Sequence, residues 1–273
     1  MRFATYNIHY GVGRDGHHDL DRIAAAIDGA DVIALQEVER YWPRSGMVDQ
    51  PRELGKRLPD YWWVYGPNID LHSNAGFPGE ASDRRRQFGN MILSRTPIVG
   101  SENVPLPRAP GETQSMRRGA LEAIVPTPSG AIRVVSTHLC YLSPATRVAQ
   151  TEAIFDRHRI VAAEGGAWHG AHPVDPSWHF GDEPEIPSRA IVLGDVNFGP
   201  GDPEYAATIG NGHAPFREAW PLVRPTHAGA TKDGERIDQA WLTPDLAAQV
   251  TAAWVDNVAD GSDHQPAWYE FSF

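Results

Sequence analysis

"RFATYNIHYGVGRDGHHDLDRIAAAIDGADVIALQEV" (residues 2–38) decides the architecture. Residues 2–8 alternate loosely and carry Phe3, Tyr6 and Ile8, the pattern of a strand. A loop rich in Gly and Asp follows. Asp19 can cap a helix whose Leu20, Ile23, Ala24 and Ile27 fall on one face, and Gly29 can end it. "DVIALQEV" (31–38) is a short apolar run with β-branched residues, which reads as a buried strand. Strand, helix and strand in that order argue for an α/β protein.

The pattern continues outward from this unit. A second helix fits Gln50–Leu58, and the aromatic stretch 61–67 reads as a strand. Residues 68–86 form a polar loop ending in "DRRR", and 87–95 return as a strand. "RGALEAIVPT" and "AIRVVSTHL" pair as a hairpin across "PSG". The strongest long helix covers Pro144–Ala163. Residues 164–188 have no period and read as an insertion loop, longer than an ordinary connection. A strand at 189–195, a short helical stretch near 202–210 and strands near 236–243, 250–257 and 266–272 complete the chain. Strand signals run from end to end without repeat or linker, so one domain over 1–273 is expected. Many strands with few helices suggest two packed sheets with helices outside.

Composition narrows the function classes. The chain has 273 residues, 41% hydrophobic and 22% charged, as in an ordinary globular protein. It carries 24 Lys+Arg against 35 Asp+Glu, a net charge of −11, and lysine occurs only at 56 and 232. Proteins that hold long duplexes neutralise many phosphates, so this balance weighs against a processive or non-specific DNA binder. Cys140 is the single cysteine, which excludes an internal disulfide. No apolar run approaches a membrane span, and the start shows no signal-peptide pattern. A cytoplasmic location is the expectation. The sequence is silent on oligomeric state.

Polar residues recur where apolar runs end: Asn7, Glu37, Asn90, His138, Asp195 with Asn197, Asp238, and Asp263 with His264. Any one alone reads as a turn residue. Together they make a chemical set. Glu37, Asp195 and Asp263 are hard oxygen ligands which, with the Asn7 amide oxygen, suit Mg²⁺ or Mn²⁺ better than Zn²⁺. His138 and His264 can donate to phosphoryl oxygens, and Asp238 can orient an imidazole. In "LGDVNFGP" (193–200) the spacing of Asp195 and Asn197 puts both on one face of an extended segment, and the two glycines permit a sharp bend.

The ordered set "TYNIH", "LQEV", "GNMILSR", "STHL", "GDVNFGP", "RIDQAW" and "SDHQPAW" closely resembles the endonuclease/exonuclease/phosphatase superfamily. The match spans residues 5–268. The resemblance implies a four-layer α/β/β/α sandwich of two mostly antiparallel mixed β-sheets flanked by helices. It implies Glu37 as main metal ligand, with Asn7 close by and Asp263 at or near the metal. Asp195 would activate and aim water, with Asn197 helping to hold it or the phosphate. His264, oriented by Asp238, would stabilise charge on the phosphoryl group. His138 would contact a phosphate oxygen, and Asn90 would lie in the phosphate pocket. Two departures stand out: Gln239 follows "RID" where an aromatic residue is frequent, and His9 stands where some members carry an acid. His9 could still bind metal or phosphate.

Arg118 precedes "GAL" and could face the site or lie at a strand edge. Arg84, Arg85 and Arg86 read as a solvated loop end. Trp168 and Trp178 in the insertion loop could wall a substrate pocket. The leading expectation is a Mg²⁺-dependent phosphoesterase, in particular a phosphodiesterase, acting on a small-molecule or phospholipid-derived ester. A nuclease on abasic or structured DNA is the alternative within hydrolysis. A non-catalytic binding protein is the alternative outside it, disfavoured because every metal and base residue is present.

Overall fold

In the computed structural model, residues 1–72, 84–108, 115–166, 174–175, 177 and 184–273 are described. In chain order the strands are β1 (Arg2–Asn7), β2 (Val32–Arg40), β3 (Trp62–His72), β4 (Arg85–Ser94), β5 (Gly100–Pro105) and β6 (Gly119–Val125). They continue with β7 (Ile132–His138), β8 (Ala190–Asp195), β9 (Arg217–Glu218), β10 (Asp238–Leu242), β11 (Val250–Val255) and β12 (Ala267–Phe271). The main helices are α1 (Leu20–Ile27), α2 (Gln50–Arg57) and α3 (Pro144–Glu164). Two six-stranded sheets form, in the orders β11-β12-β1-β2-β4-β3 and β5-β6-β7-β8-β10-β9. Each contains one parallel pair, β1/β2 and β7/β8, among antiparallel neighbours. The helices lie outside them. No described helix is long and apolar enough to cross a membrane.

Period-two alternation builds the layers. Phe3, Val32, Ala34 and Ile92 from one sheet meet Leu121, Val134, Ile191, Leu193, Ala240 and Leu242 from the other in the central core. The alternate residues Ala4, Tyr6, Ile33 and Leu35 face outward and pack on Leu20, Ile23, Ile27 and Leu54. Val135, Val192 and Trp241 do the same on the other side, against Ile154 and Phe155. The expected apolar face of α1 is the buried one, and the Asp19 carboxylate caps it by accepting from Asp21 N and Arg22 N.

The paired strands β3 and β4 run further than expected and take residues 68–72, 85 and 86 of the loop expected at 68–86. β5 was not anticipated. Its sequence "GSENVP" is an edge with no apolar alternation to detect.

Candidate active site

Strand parity assembles the site. Asn7 shares the inward face of β1 with Phe3 and Thr5, and Asn90 shares that of β4 with Ile92. His138 follows Ile132, Val134 and Ser136 on β7. Asp195 follows Ile191 and Leu193 on β8, and Asp238 precedes Ala240 and Leu242 on β10. Each is a continuation of the apolar face between the sheets. His138 and Asp195 stand side by side in the parallel β7/β8 pair, and Asp238 faces Asp195 across β8/β10.

Glu37 breaks parity, and a bulge explains how. The register of β2 against β4 slips between Leu35 and Val38, and Glu37 takes φ 59°. After the slip Val38 lies on the outer face with Ile33 and Leu35. Glu37 is thereby released to the rim of the inner one. A left-handed non-glycine residue is costly, and such residues are held where the surroundings over-determine them.

The buried end of the sandwich carries a dense polar network. Asn7 Nδ2 donates to Asp195 Oδ2 at 2.9 Å and weakly to Glu37 Oε1 at 3.4 Å. Its Oδ1, expected to face a cation, accepts from His9 N at 3.0 Å. His138 Nε2 is 3.4 Å from Asp195 Oδ2, while Nδ1 is 3.9 Å from Glu37 Oε1 and otherwise unpartnered. Burial, then the positive charge of Arg118, holds the His138 pKa well below its ordinary value, so this ring is neutral. His264 Nδ1 is 2.8 Å from Asp238 Oδ2. Burial opposes a charged His264, but Asp238 by charge and hydrogen bond, with Asp195, outweighs it and raises the pKa to about 9. Asp195 is pushed up to about 6 by burial and by Asp238, against the pull of His264 and the Asn7 bond.

Asn197 is not on an extended segment. The chain turns after β8 with Asn197 at φ 55°, and its N–H donates to Asp195 Oδ1 at 3.0 Å. Its Nδ2 donates to Leu139 O at 3.1 Å. One bend therefore sits at Asn197, and a further turn opens at Gly199, whose carbonyl accepts from Asp202 N at 3.1 Å. Gly194 has a different reason: a Cβ there would lie 1.9 Å from the Thr137 carbonyl oxygen on the adjoining strand. Asn90 is sunk between the sheets, and Nδ2 donates to Gly119 O and Ser136 O, both at 3.0 Å. Its Nδ2 thus joins the two sheets.

Asp263 is half-buried, and its Oδ2 accepts from Lys232 Nζ at 2.7 Å. The same Nζ is 3.2 Å from His264 Nε2. Lys232 was not anticipated as a site residue; its scarcity as one of two lysines was the only signal. His9 Nδ1 donates to Val12 O at 3.0 Å and is 3.8 Å from Asp263 Oδ1. Arg118 is only 3% exposed, and its Nη1 has no partner among the described residues. Burial lowers its pKa, against the attraction of the Glu37 and Asp195 carboxylates. Trp168 and Trp178 lie outside the described residues. A cavity of about 650 Å³ between β5, β6 and the end of α3 contains none of these groups.

A buried guanidinium with an open Nη1 predicts its own test. Arg118→Met should leave the fold as stable or more stable, since a buried charge is exchanged for a packed apolar chain. KM should rise about tenfold, the worth of one charged hydrogen bond to substrate. A fall in melting temperature with unchanged KM would show Arg118 to be structural.

Chemically, the described set fits a divalent cation. Glu37, Asp195, Asp238 and Asp263 face Arg118, Lys232 and His264, leaving carboxylate in excess. Among the described residues, the neutral His138 ring is the one basic group within 4 Å of the Glu37 carboxylate. Asp195, Asp238 and His264 also converge, with ligand atoms within 4.8 Å of one another.

A sequence profile described as "Endonuclease/Exonuclease/phosphatase family" matches residues 4–264. A solved endonuclease/exonuclease/phosphatase from Beutenbergia cavernae is 25% identical, with TM-score 0.69, over 98% of this chain and 70% of that one. A mannosyl-6-phosphatase from Bacteroides thetaiotaomicron is 15% identical, with TM-score 0.70, over 100% of both chains. D. rerio TDP2 complexed with single-strand DNA product is 18% identical, with TM-score 0.64, over 100% and 99%. At their identities the last two speak to the fold alone.

Proposed function

The chain belongs to the endonuclease/exonuclease/phosphatase family, and from that premise we propose that it is a divalent-metal-dependent phosphodiesterase acting on a small-molecule or lipid-derived ester. Members of the family are hydrolases of phosphoester bonds and generally need a divalent cation. The observation that carries the reading is the pair Asp195 and His264. Their side chains stand 3.8 Å apart, one a carboxylate of raised basicity and the other an imidazole held by Asp238.

Glu37 would hold the ion, a hard oxygen ligand set at the rim by the β2 bulge, with Asn7 aligning its carboxylate against that of Asp195. When bound, the ion supplies positive charge to the phosphoryl group. Asp195 accepts a proton from the attacking water. A carboxylate near pKa 6 is still ionised at neutral pH yet is a better base than an ordinary one. His264 Nε2–H stabilises the developing negative charge. Asn197 fixes the Asp195 carboxylate through its backbone N–H. Arg118 Nη1, without a partner among the described residues, is available to phosphate oxygens; the neutral His138 has a single N–H, which meets a phosphate oxygen only in the tautomer that carries it on Nδ1.

The acidic balance favours a small ester over a duplex. The relatives' names, a mannosyl-6-phosphatase and a DNA-bound TDP2, represent both kinds of substrate. A metal-supplemented panel of bis-p-nitrophenyl phosphate, p-nitrophenyl phosphate, phospholipids, inositol phosphates and abasic DNA separates them. Diester or phospholipid turnover is expected, and abasic nicking as the best activity would move the assignment to a nuclease. Glu37→Gln should raise the metal concentration for half-activation at least about tenfold. Unchanged metal dependence would remove Glu37 as the ligand.

A further inference from the structure

We propose that Lys232 is a catalytic residue: its ammonium binds the same phosphoryl group as His264 Nε2 and supplies, beside Asp263, the positive charge that a second cation would supply there. The inference rests on the proposed phosphoesterase activity and extends it to a side chain outside the recognised motifs.

The geometry is specific. Lys232 Nζ is 2.7 Å from Asp263 Oδ2 and 3.2 Å from His264 Nε2. Asp263 Oδ1 is 3.9 Å from the same Nε2. With His264 Nδ1 engaged by Asp238, Nε2 is the ring atom left for substrate, and Lys232 brings a second donor to the same spot. Asp263 thus has its charge matched from within the chain. Expected as a metal neighbour, it becomes the residue that positions Lys232.

The backbone holds the lysine there. Lys232 lies on a tight turn in which Glu235 N donates to Lys232 O at 2.7 Å and Thr231 N donates to Glu235 O at 2.8 Å. The buried Thr231 ties this turn to both catalytic segments: its Oγ1 accepts from Asp238 N at 3.1 Å, and its carbonyl accepts from Gln265 N at 2.8 Å. Lys232 is therefore next to a residue bonded to the Asp238 strand and to the residue after His264. An ordinary surface ion pair has no such anchoring and contributes little. A compact, rotatable ammonium also suits a phosphoryl oxygen whose position shifts during displacement.

The test compares wild type with Lys232→Met, Lys232→Arg, Asp263→Asn and Asp195→Ala. It reads kcat and KM on bis-p-nitrophenyl phosphate, inhibition by inorganic phosphate, Mn²⁺ binding by calorimetry, and thermal melting. Lys232→Met should lower kcat about 10- to 50-fold and weaken phosphate inhibition about tenfold, with Mn²⁺ affinity and melting within error of wild type. Lys232→Arg should recover most of the phosphate affinity and part of kcat. Asp263→Asn should resemble Lys232→Met and leave Mn²⁺ affinity intact. The inference is overturned if Lys232→Met keeps kcat and phosphate inhibition while Asp195→Ala is inactive. It is also overturned if Asp263→Asn loses Mn²⁺ affinity as Glu37→Gln is expected to, because Asp263 would then be a ligand. Full activity in Asp195→Ala would instead defeat the underlying phosphoesterase mechanism.

Discussion

Asp195→Ala should lower kcat/KM on the order of 10⁴-fold, the upper range for loss of a general base, while the protein stays folded. Asp195 is 2% exposed, and its carboxylate is engaged by Asn7 Nδ2 and the Asn197 N–H. Those bonds aim it but do not make its burial comfortable. Burial and Asp238 raise its pKa from 3.8 to about 6. A raised carboxylate binds its proton more tightly in the folded chain than in the unfolded one. Its ionisation therefore subtracts stability as pH rises through about 6, and acid below 4 relieves the cost. In metal-free protein, Asp195→Asn should accordingly melt higher than wild type above pH 6, with the gap closing as pH falls toward 4. Turnover should be lost at every pH. A residue kept for catalysis against stability predicts both signs together. Retained turnover, or a variant that melts lower at pH 7.5, would contradict the role.

Much of this was written in the sequence because the site extends an apolar alternation. Ile191-x-Leu193-x-Asp195 and Ile132-x-Val134-x-Ser136-x-His138 declare which face they occupy, and period two is a robust signal. Two features broke that logic. Glu37 belongs to the outer face by count and reaches the inner rim only because β2 slips one residue. Asn197 keeps the right spacing but sits beyond the strand at positive φ. Local backbone departures of this kind carry no hydrophobic mark, and both lie beside proposed catalytic groups. Lys232 was hidden for another reason. It sits in a polar turn 31 residues from Asp263, and only the packing of that turn against the last segment joins them. Asn90 is ambiguous in the opposite way: a polar residue within an apolar run fits a phosphate pocket, and a buried amide joining two sheets leaves the same trace in sequence.

Asp238→Asn should lower kcat about 100- to 1000-fold near pH 8 and shift the alkaline limb of the rate profile. In wild type, the charged His264 is sustained by Asp238 by charge and by a 2.8 Å hydrogen bond, against burial. Asparagine preserves the shape but not the charge. Burial then dominates, and the imidazole loses its proton below its ordinary pKa of 6.5 rather than near 9. Activity should therefore decline above about pH 9 in wild type and already above about pH 6–7 in the variant. Stability carries the same sign. Because the folded pKa of His264 exceeds the unfolded one, the pair's contribution is complete below 6.5 and is lost as pH rises through 9. The melting-temperature deficit of Asp238→Asn should be largest near pH 6 and shrink toward pH 10. A purely structural Asp238 would lower melting equally at all pH values and leave the alkaline limb where it was. Two curves, rate and melting against pH, thus separate an aspartate that charges the imidazole from one that merely fills the end of β10.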